Sequence, residues 1–262
     1  MVTKSAIQQW REQVPWTDVS YIEQDLVISR ALIAIYSDEY LASQLAFRGG
    51  TALHKLHMRP QVRYSEDIDL VQVTGGPIKP IMFRLGEVLD FIPDRVTKQK
   101  RYNNTMLCRF LSEGAPPVQL RLKIEINCFE HFTAMGLTRF PFSMDNQWFS
   151  GTCEITTYHL AELLGTKLRA LYQRRKGRDL LDLYLALMTT DVNAEDVLRC
   201  YKRYIAFVVD RPPTYRQFVL NIEGKMRDND FLTDATPMLR PGITYNPQEA
   251  YEIVKARLID KL

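Results

Sequence analysis

Cysteine is scarce and scattered in this sequence. Cys108, Cys128, Cys153 and Cys200 are singletons with no CxxC spacing and no clustered histidine, which excludes a disulfide framework and a zinc ribbon. They read as small buried residues of a reducing compartment. No segment approaches the run of about 20 apolar residues needed to span a bilayer. The opening MVTKSAIQQWREQVPW also lacks the apolar core of a signal peptide. A cytoplasmic protein with no membrane partner is expected. Charge of one sign is modest too: a net +3 does not by itself announce a nucleic-acid binder. What remains is ordinary globular composition, 46% hydrophobic and 25% charged. The 262 residues suffice for one large domain or two small ones.

One stretch stands out from that background, Phe47 to Leu70, FRGGTALHKLHMRPQVRYSEDIDL. Leu45–Arg48 reads as a short strand running into Gly49-Gly50-Thr51, and Thr51–His57 as a helix. Free backbone N–H groups where a helix opens favour a phosphate. Asp67 and Asp69 lie two apart in DIDLVQV, a strand pattern over Ile68–Val73. Side chains at i and i+2 share a strand face, roughly 6–7 Å apart at their Cα atoms. Two like charges held that close call for a cation between them. Mg²⁺ suits them, because it takes one or two carboxylates and completes its shell with water and phosphate oxygens. A D-x-D pair alone is weak evidence, since many strands carry two acids on a solvent face. The order of strand, glycine turn, helix and acid-bearing strand is what points to chemistry on a nucleotide.

Further along, QLRLKIEINCF is the clearest alternating strand, with Leu122, Ile124 and Ile126 on one face and Lys123, Glu125 and Asn127 on the other. Glu125 is a third acid on a neighbouring strand or part of a solvent-facing alternation. In YHLAELLGTKLRALYQRR, Leu160, Leu164, Leu168 and Leu171 form a helical stripe with Lys167 at its middle. A lysine there must snorkel, pair with an acid or contact a ligand. The ligand reading is an ammonium on the triphosphate or on Asp67 and Asp69. Asp182 interrupts the buried-helix pattern LLDLYLALM, either as an ion-pair partner of Arg178 or as the residue that orients Lys167 or acts as a base. Arg175, Arg178 and Asp182 share one face if the helix runs through Gly177, which would bring Arg175 or Arg178 to phosphate. Arg169, Arg174, Arg175 and Lys176 crowd around them as an RNA-tracking surface or a solvated helix face. Tyr201 and Tyr204, beside Lys202 and Arg203, are candidates for stacking on RNA. His54 and His57 lack a third ligand at sensible spacing and read as helix surface.

The remaining pattern gives a buried helix from Asp25 to about Leu41, a helix near 79–91, strands within 94–112 turning near Asn103-Asn104, and helices from Tyr158 onward. Arg211-Pro212-Pro213 and a loop at 230–247 interrupt those helices. The expected fold is therefore α/β: a mixed sheet with flanking helices in a catalytic domain over 1–150, then a helical domain over 151–262.

FRGGTALHKLH followed by RYSEDIDL closely resembles the AbiEii family of bacterial nucleotidyltransferase toxins, which includes the MenT toxins. The glycines, Thr51, Leu53, Lys55, Arg63, Ser65, Asp67 and Asp69 fall in that family's pattern, and ELLGTKLRALYQRRKGRDLLDLY resembles its later motifs. The resemblance implies a nucleotidyltransferase fold in the first domain. It also implies Mg²⁺ on Asp67 and Asp69, a nucleoside triphosphate cradled by Gly49, Gly50 and Thr51, and Lys167 and Asp182 contributed to the cleft by the helical domain, with Asp179 as a substitute. The implied acceptor is the 3′ end of a tRNA, and the implied partner a separately encoded antitoxin. Competing readings are a small-molecule or protein hydroxyl as acceptor, and a non-catalytic nucleotide-binding module of the same fold.

Overall fold

Alternation along the strands builds a seven-stranded mixed sheet in the computed structural model, which describes residues 2–262. Two units are distinct. The first runs up to Phe132 and takes in Leu137–Tyr158, and the second comprises Thr133–Gly136 and His159–Leu262.

The first unit begins with helices α1 (Lys4–Arg11), α2 (Val19–Ser37) and α3 (Glu39–Gln44). Strand β1 (Leu45–Arg48) leads into α4 (Gly49–Ala52), which runs on as a π-helical turn over Leu53–His57. Then follow β2 (Asp67–Gln72), α5 (Lys79–Val88), β3 (Asp94–Gln99), β4 (Asn103–Leu111), β5 (Gln119–Asn127), β6 (Leu137–Met144) and β7 (Gly151–Tyr158). The strand order is β3-β4-β5-β2-β1-β7-β6. β2 is antiparallel to β1 and parallel to β5, and β1 is parallel to β7. Period-2 patterning explains the faces: Leu120, Leu122, Ile124 and Ile126 of β5 are buried, as are Ile68 and Leu70 of β2, while their polar neighbours are not fully covered.

Helix α2 packs on the sheet and carries one charged residue into the interior. Asp25 accepts hydrogen bonds from Trp10 Nε1 (3.0 Å), Trp16 Nε1 (3.4 Å), Lys55 Nζ (2.9 Å) and Gln61 Nε2 (3.2 Å). A buried carboxylate is tolerable only when paired and hydrogen-bonded in this way. The result fastens the far end of the glycine-turn helix, through Lys55, to α2.

Three expectations shift. The buried helix starts at Val19 and stops at Ser37, because extended Asp38 turns its side chain onto Leu41 N (2.9 Å) and caps α3. The turn expected at Asn103-Asn104 lies just before them, and both residues begin β4. Strands β6 and β7 have no counterpart in the sequence reading, since β6 is largely exposed and TCEITTY lacks a strong apolar alternation.

The second unit consists of α6 (Leu160–Gln173), α7 (Gly177–Thr189), α8 (Ala194–Val208), α9 (Tyr215–Lys225), α10 (Asn229–Thr233) and α11 (Pro247–Arg257). Helix α10 and a 3₁₀ turn at Thr236–Met238 lie within the stretch expected to be loop. Helix α6 crosses α8 closely at Gly165, where a Cβ would stand 2.6 Å from Cys200 Cβ. Buried Glu162 of α6 accepts from Thr133 Oγ1 (2.8 Å), Ala134 N (2.7 Å), Met135 N (3.0 Å) and Tyr204 Oη (2.7 Å). Those bonds explain why the short segment Thr133–Gly136 belongs to this unit. Among the described residues no helix is long and apolar enough to cross a membrane.

Candidate active site

The i, i+2 spacing of Asp67 and Asp69 on β2 puts both side chains on the half-exposed face of the sheet. The register then adds charged neighbours to that face. On parallel β5, Glu125 stands opposite Asp69 and Lys123 opposite Asp67. On antiparallel β1, Arg48 is the cross-strand partner of Asp69. Lys123 Nζ lies 3.0 Å from Asp67 Oδ2 and 3.0 Å from Glu125 Oε2. Partial burial disfavours the Lys123 charge, but its hydrogen bonds to Asp67 and Glu125 more than offset that and hold its pKa above the ordinary value. Arg48 Nη1 pairs with Glu130 Oε2 at 2.6 Å. Burial disfavours the guanidinium charge as well, and Glu130, with a contribution from Asp69, raises its pKa despite that cost. The sequence reading gives Arg48 and Lys123 no role at the site, because only strand pairing reveals that they share a face with Asp67 and Asp69.

The glycine turn is pressed against this face. Gly49 has φ +81°, a left-handed conformation, and a Cβ on it would stand 2.1 Å from Asp69 Oδ2. Gly50 leaves room for the Arg63 guanidinium, whose Nη2 would be 2.5 Å from an added Cβ. Thr51 is buried, and its hydroxyl lies 2.8 Å from Ser65 Oγ and donates to the Asp67 carbonyl at 2.5 Å. The Thr51 hydroxyl thus braces the acid-bearing strand through its backbone. His54 is buried too, not on the helix surface.

The geometry predicts opposite sensitivities at the two glycines. Gly49→Ala combines a disfavoured backbone conformation with a clash against Asp69, and should cost about 1–3 kcal/mol and displace the carboxylate. Gly50→Ala keeps an ordinary backbone conformation and meets only side-chain ends, Arg63 Nη2 at 2.5 Å and Ser65 Oγ at 3.2 Å, so its cost should be smaller. Thermal melts and nucleotide binding compared for the two variants check this; equal behaviour would contradict it.

Among the described residues no group of three or more Asp, Glu, His or Cys side chains is close enough to enclose a metal. The donor set is instead the open kind: two hard carboxylates on one strand, half-exposed, with a cation already drawn to Asp67. Such a set fits Mg²⁺, which needs few protein ligands when water and phosphate oxygens supply the rest.

The second cluster lies wholly within the helical unit. Lys167 Nζ of α6 pairs with Asp179 Oδ1 (3.0 Å) and Asp182 Oδ2 (2.9 Å) of α7, both carboxylates being fully buried. The lysine at the centre of an apolar stripe is therefore paired rather than snorkelling. Arg174 closes on Asp179 with two bonds, Nε to Oδ2 and Nη2 to Oδ1, each 2.6 Å. Burial pushes the Asp179 carboxyl up, but Lys167 and Arg174 outweigh it and hold the pKa below the usual range.

The basic run is not an open strip. Arg169 is buried, with its guanidinium 5.4 Å from the Tyr204 ring centroid, so it does not belong to a surface that tracks RNA. Tyr201 and Tyr204 are buried as well and present no stacking face. Arg175 pairs with Asp228 (3.0 Å) and Lys176 with Asp234 (3.5 Å). The helix does not run through Gly177, since α7 begins there and Arg175 lies in the preceding link. Asp234 caps that start: its Oδ2 accepts from the Arg178 backbone N–H (3.1 Å), and the Arg178 guanidinium leans on Asp234 and Met238.

A family model described as nucleotidyl transferase AbiEii toxin, type IV toxin–antitoxin system, matches residues 30–253. Among solved structures, MenT4, a nucleotidyltransferase toxin from Mycobacterium tuberculosis H37Rv, superposes with a TM-score of 0.72 at 17% identity, over 100% of this chain and 91% of that one. JHP933 from Helicobacter pylori superposes with a TM-score of 0.57 at 18% identity, over 92% of each chain. At these identities the two structures show a shared fold. No curated protein matches the chain by sequence.

Proposed function

Because the chain belongs to the AbiEii nucleotidyltransferase toxin family of type IV toxin–antitoxin systems, we propose that it transfers a nucleoside monophosphate from a nucleoside triphosphate to an acceptor hydroxyl at the 3′ end of tRNA. In this reading it acts in the cytoplasm as a toxin opposed by a separately encoded antitoxin. The observation that carries the proposal is the acid face. Asp67 and Asp69 project together, Glu125 stands in register with Asp69, and Gly49 is pressed onto the same carboxylate.

Asp67 and Asp69 would hold Mg²⁺, which when bound supplies charge neutralisation for the triphosphate and orientation of the attacked phosphorus. The backbone amides that open the helical run at Gly49 and Gly50 would take phosphate oxygens. Arg48 keeps positive charge beside Asp69 and limits the repulsion among the acids. Glu125 is the candidate to accept the proton of the attacking hydroxyl. In the helical unit, Lys167 and Asp182 are retained as functional positions, with Asp182 orienting the Lys167 ammonium through their 2.9 Å pair.

The deciding experiment incubates purified protein with Mg²⁺, each labelled nucleoside triphosphate in turn and total bacterial tRNA, with Asp67→Asn as control. Label on tRNA with the parent protein alone is the expected result and also identifies the nucleotide. One observation favours a second reading, in which the acceptor is a small molecule or a protein hydroxyl: the cations from Arg169 to Arg178 are buried or matched by acids. Label that reaches the protein or a small acceptor but never RNA would decide for it.

A further inference from the structure

The acid face holds a cation of its own. Lys123 is the register partner of Asp67, and its ammonium stands at 3.0 Å from Asp67 Oδ2 and 3.0 Å from Glu125 Oε2. The three side chains are about equally exposed, at 36% for Lys123, 35% for Asp67 and 37% for Glu125. The lysine is thus neither locked in a core nor loose in solvent, and its four-carbon stem leaves the ammonium free to swing. A carboxylate oxygen that accepts an ammonium cannot also ligate a divalent ion without bringing two cations into contact. The two occupants therefore compete for Asp67 Oδ2 and repel one another across the carboxylate.

We propose that Lys123 is a resident counter-cation of the acid face, which holds Asp67 and Glu125 together in the nucleotide-free protein and competes with the divalent metal for Asp67. This rests on the metal-binding reading of Asp67 given above. The consequence is a coupling between metal and nucleotide. Free metal must displace the lysine onto Glu125 alone, with both cations left at the one acid face, whereas a metal–triphosphate complex would bring anionic oxygens to which the ammonium can turn. Metal occupancy is then low without nucleotide and rises with it. The same ammonium explains how the carboxylates stand together before any metal arrives, since it offsets their mutual repulsion.

The test uses Mn²⁺ as probe, followed by the loss of its free-ion electron paramagnetic resonance signal, with nucleotide-free protein. Parent, Lys123→Met, Lys123→Gln, Lys123→Arg and Asp67→Asn are compared. Removing one nearby positive charge should tighten Mn²⁺ binding by roughly tenfold in both neutral variants. Lys123→Arg, which keeps the charge, should stay near the parent. Without metal the neutral variants should melt lower than the parent, and Mn²⁺ should restore them. Unchanged or weaker Mn²⁺ binding by both neutral variants, with binding still lost in Asp67→Asn, would overturn the counter-cation role and leave the metal reading intact. Mn²⁺ binding that Asp67→Asn does not weaken, or none in any variant, would overturn both.

Discussion

Asp67→Asn should reduce nucleotidyl transfer by roughly 10³-fold or more, the scale seen when a group that stabilises transition-state charge is removed. Its melting temperature should nevertheless stay within about 2 °C of the parent. The argument for lost activity is that no other residue on β2 can replace Asp67: Ile68 faces the core, and Asp69 is already pressed by Gly49 and paired across the strands with Arg48. The argument for retained stability is the exposure of its ion pair. The Asp67–Lys123 pair is over one-third exposed on both sides, where such pairs contribute about 0–1 kcal/mol. Lys123 also keeps Glu125 as a partner. Transfer assays and thermal melts on one preparation test both halves. A large drop in melting temperature would make Asp67 a structural residue, and persistent transfer would remove it from the active site.

How much of this was legible in the sequence varies with the range of the interaction. The shared face of Asp67 and Asp69 follows from strand periodicity alone, and Gly49-Gly50 is marked as a turn by composition. Whether Glu125 joins them depends on β5 lying beside β2, a parallel pairing set by strands far apart in the chain. Local pattern cannot supply that, nor the positions of Arg48 and Lys123. Lys167 was conspicuous because a charge interrupts an apolar stripe, which is a local signal. Its pairing with Asp179 as well as Asp182 required α6 and α7 to meet. The partners of the basic run are hidden from local pattern for the same reason. Arg174, Arg175 and Lys176 in a row look like a surface, but the partners of Arg175 and Lys176, Asp228 and Asp234, come from a later segment, and Tyr204 covers Arg169 from α8. Asp25 illustrates the same limit. Nothing near it in sequence shows that two tryptophans and Lys55 converge on its carboxylate.

Asp179→Ala should be strongly destabilising to the helical unit. Asp179 is fully buried and binds two cations, Lys167 through a buried ammonium and Arg174 through a half-exposed guanidinium. Arg174 can turn to water when the carboxylate is removed, so its share of the loss is small. Lys167 cannot follow it out. The ammonium keeps only one of its two carboxylates in a buried site, and breaking a buried pair in this way costs about 3–5 kcal/mol. A fall in melting temperature of roughly 10 °C follows. The pH dependence distinguishes this electrostatic cause from loss of packing. Because the folded-state pKa of Asp179 is held below its unfolded value, its contribution is complete above the unfolded value of about 3.9 and is lost as pH falls through the lower folded one. The gap between parent and variant should be constant from neutral pH down to that range and narrow only in stronger acid. A gap that stays constant through the acid limb would assign the cost to a cavity. A gap below about 1 kcal/mol at neutral pH would mean that Asp182 alone satisfies Lys167. In that event Asp182, not Asp179, is the carboxylate that holds the lysine in its working position, and Asp182→Asn should lose transfer to the same extent as Lys167→Met measured beside it.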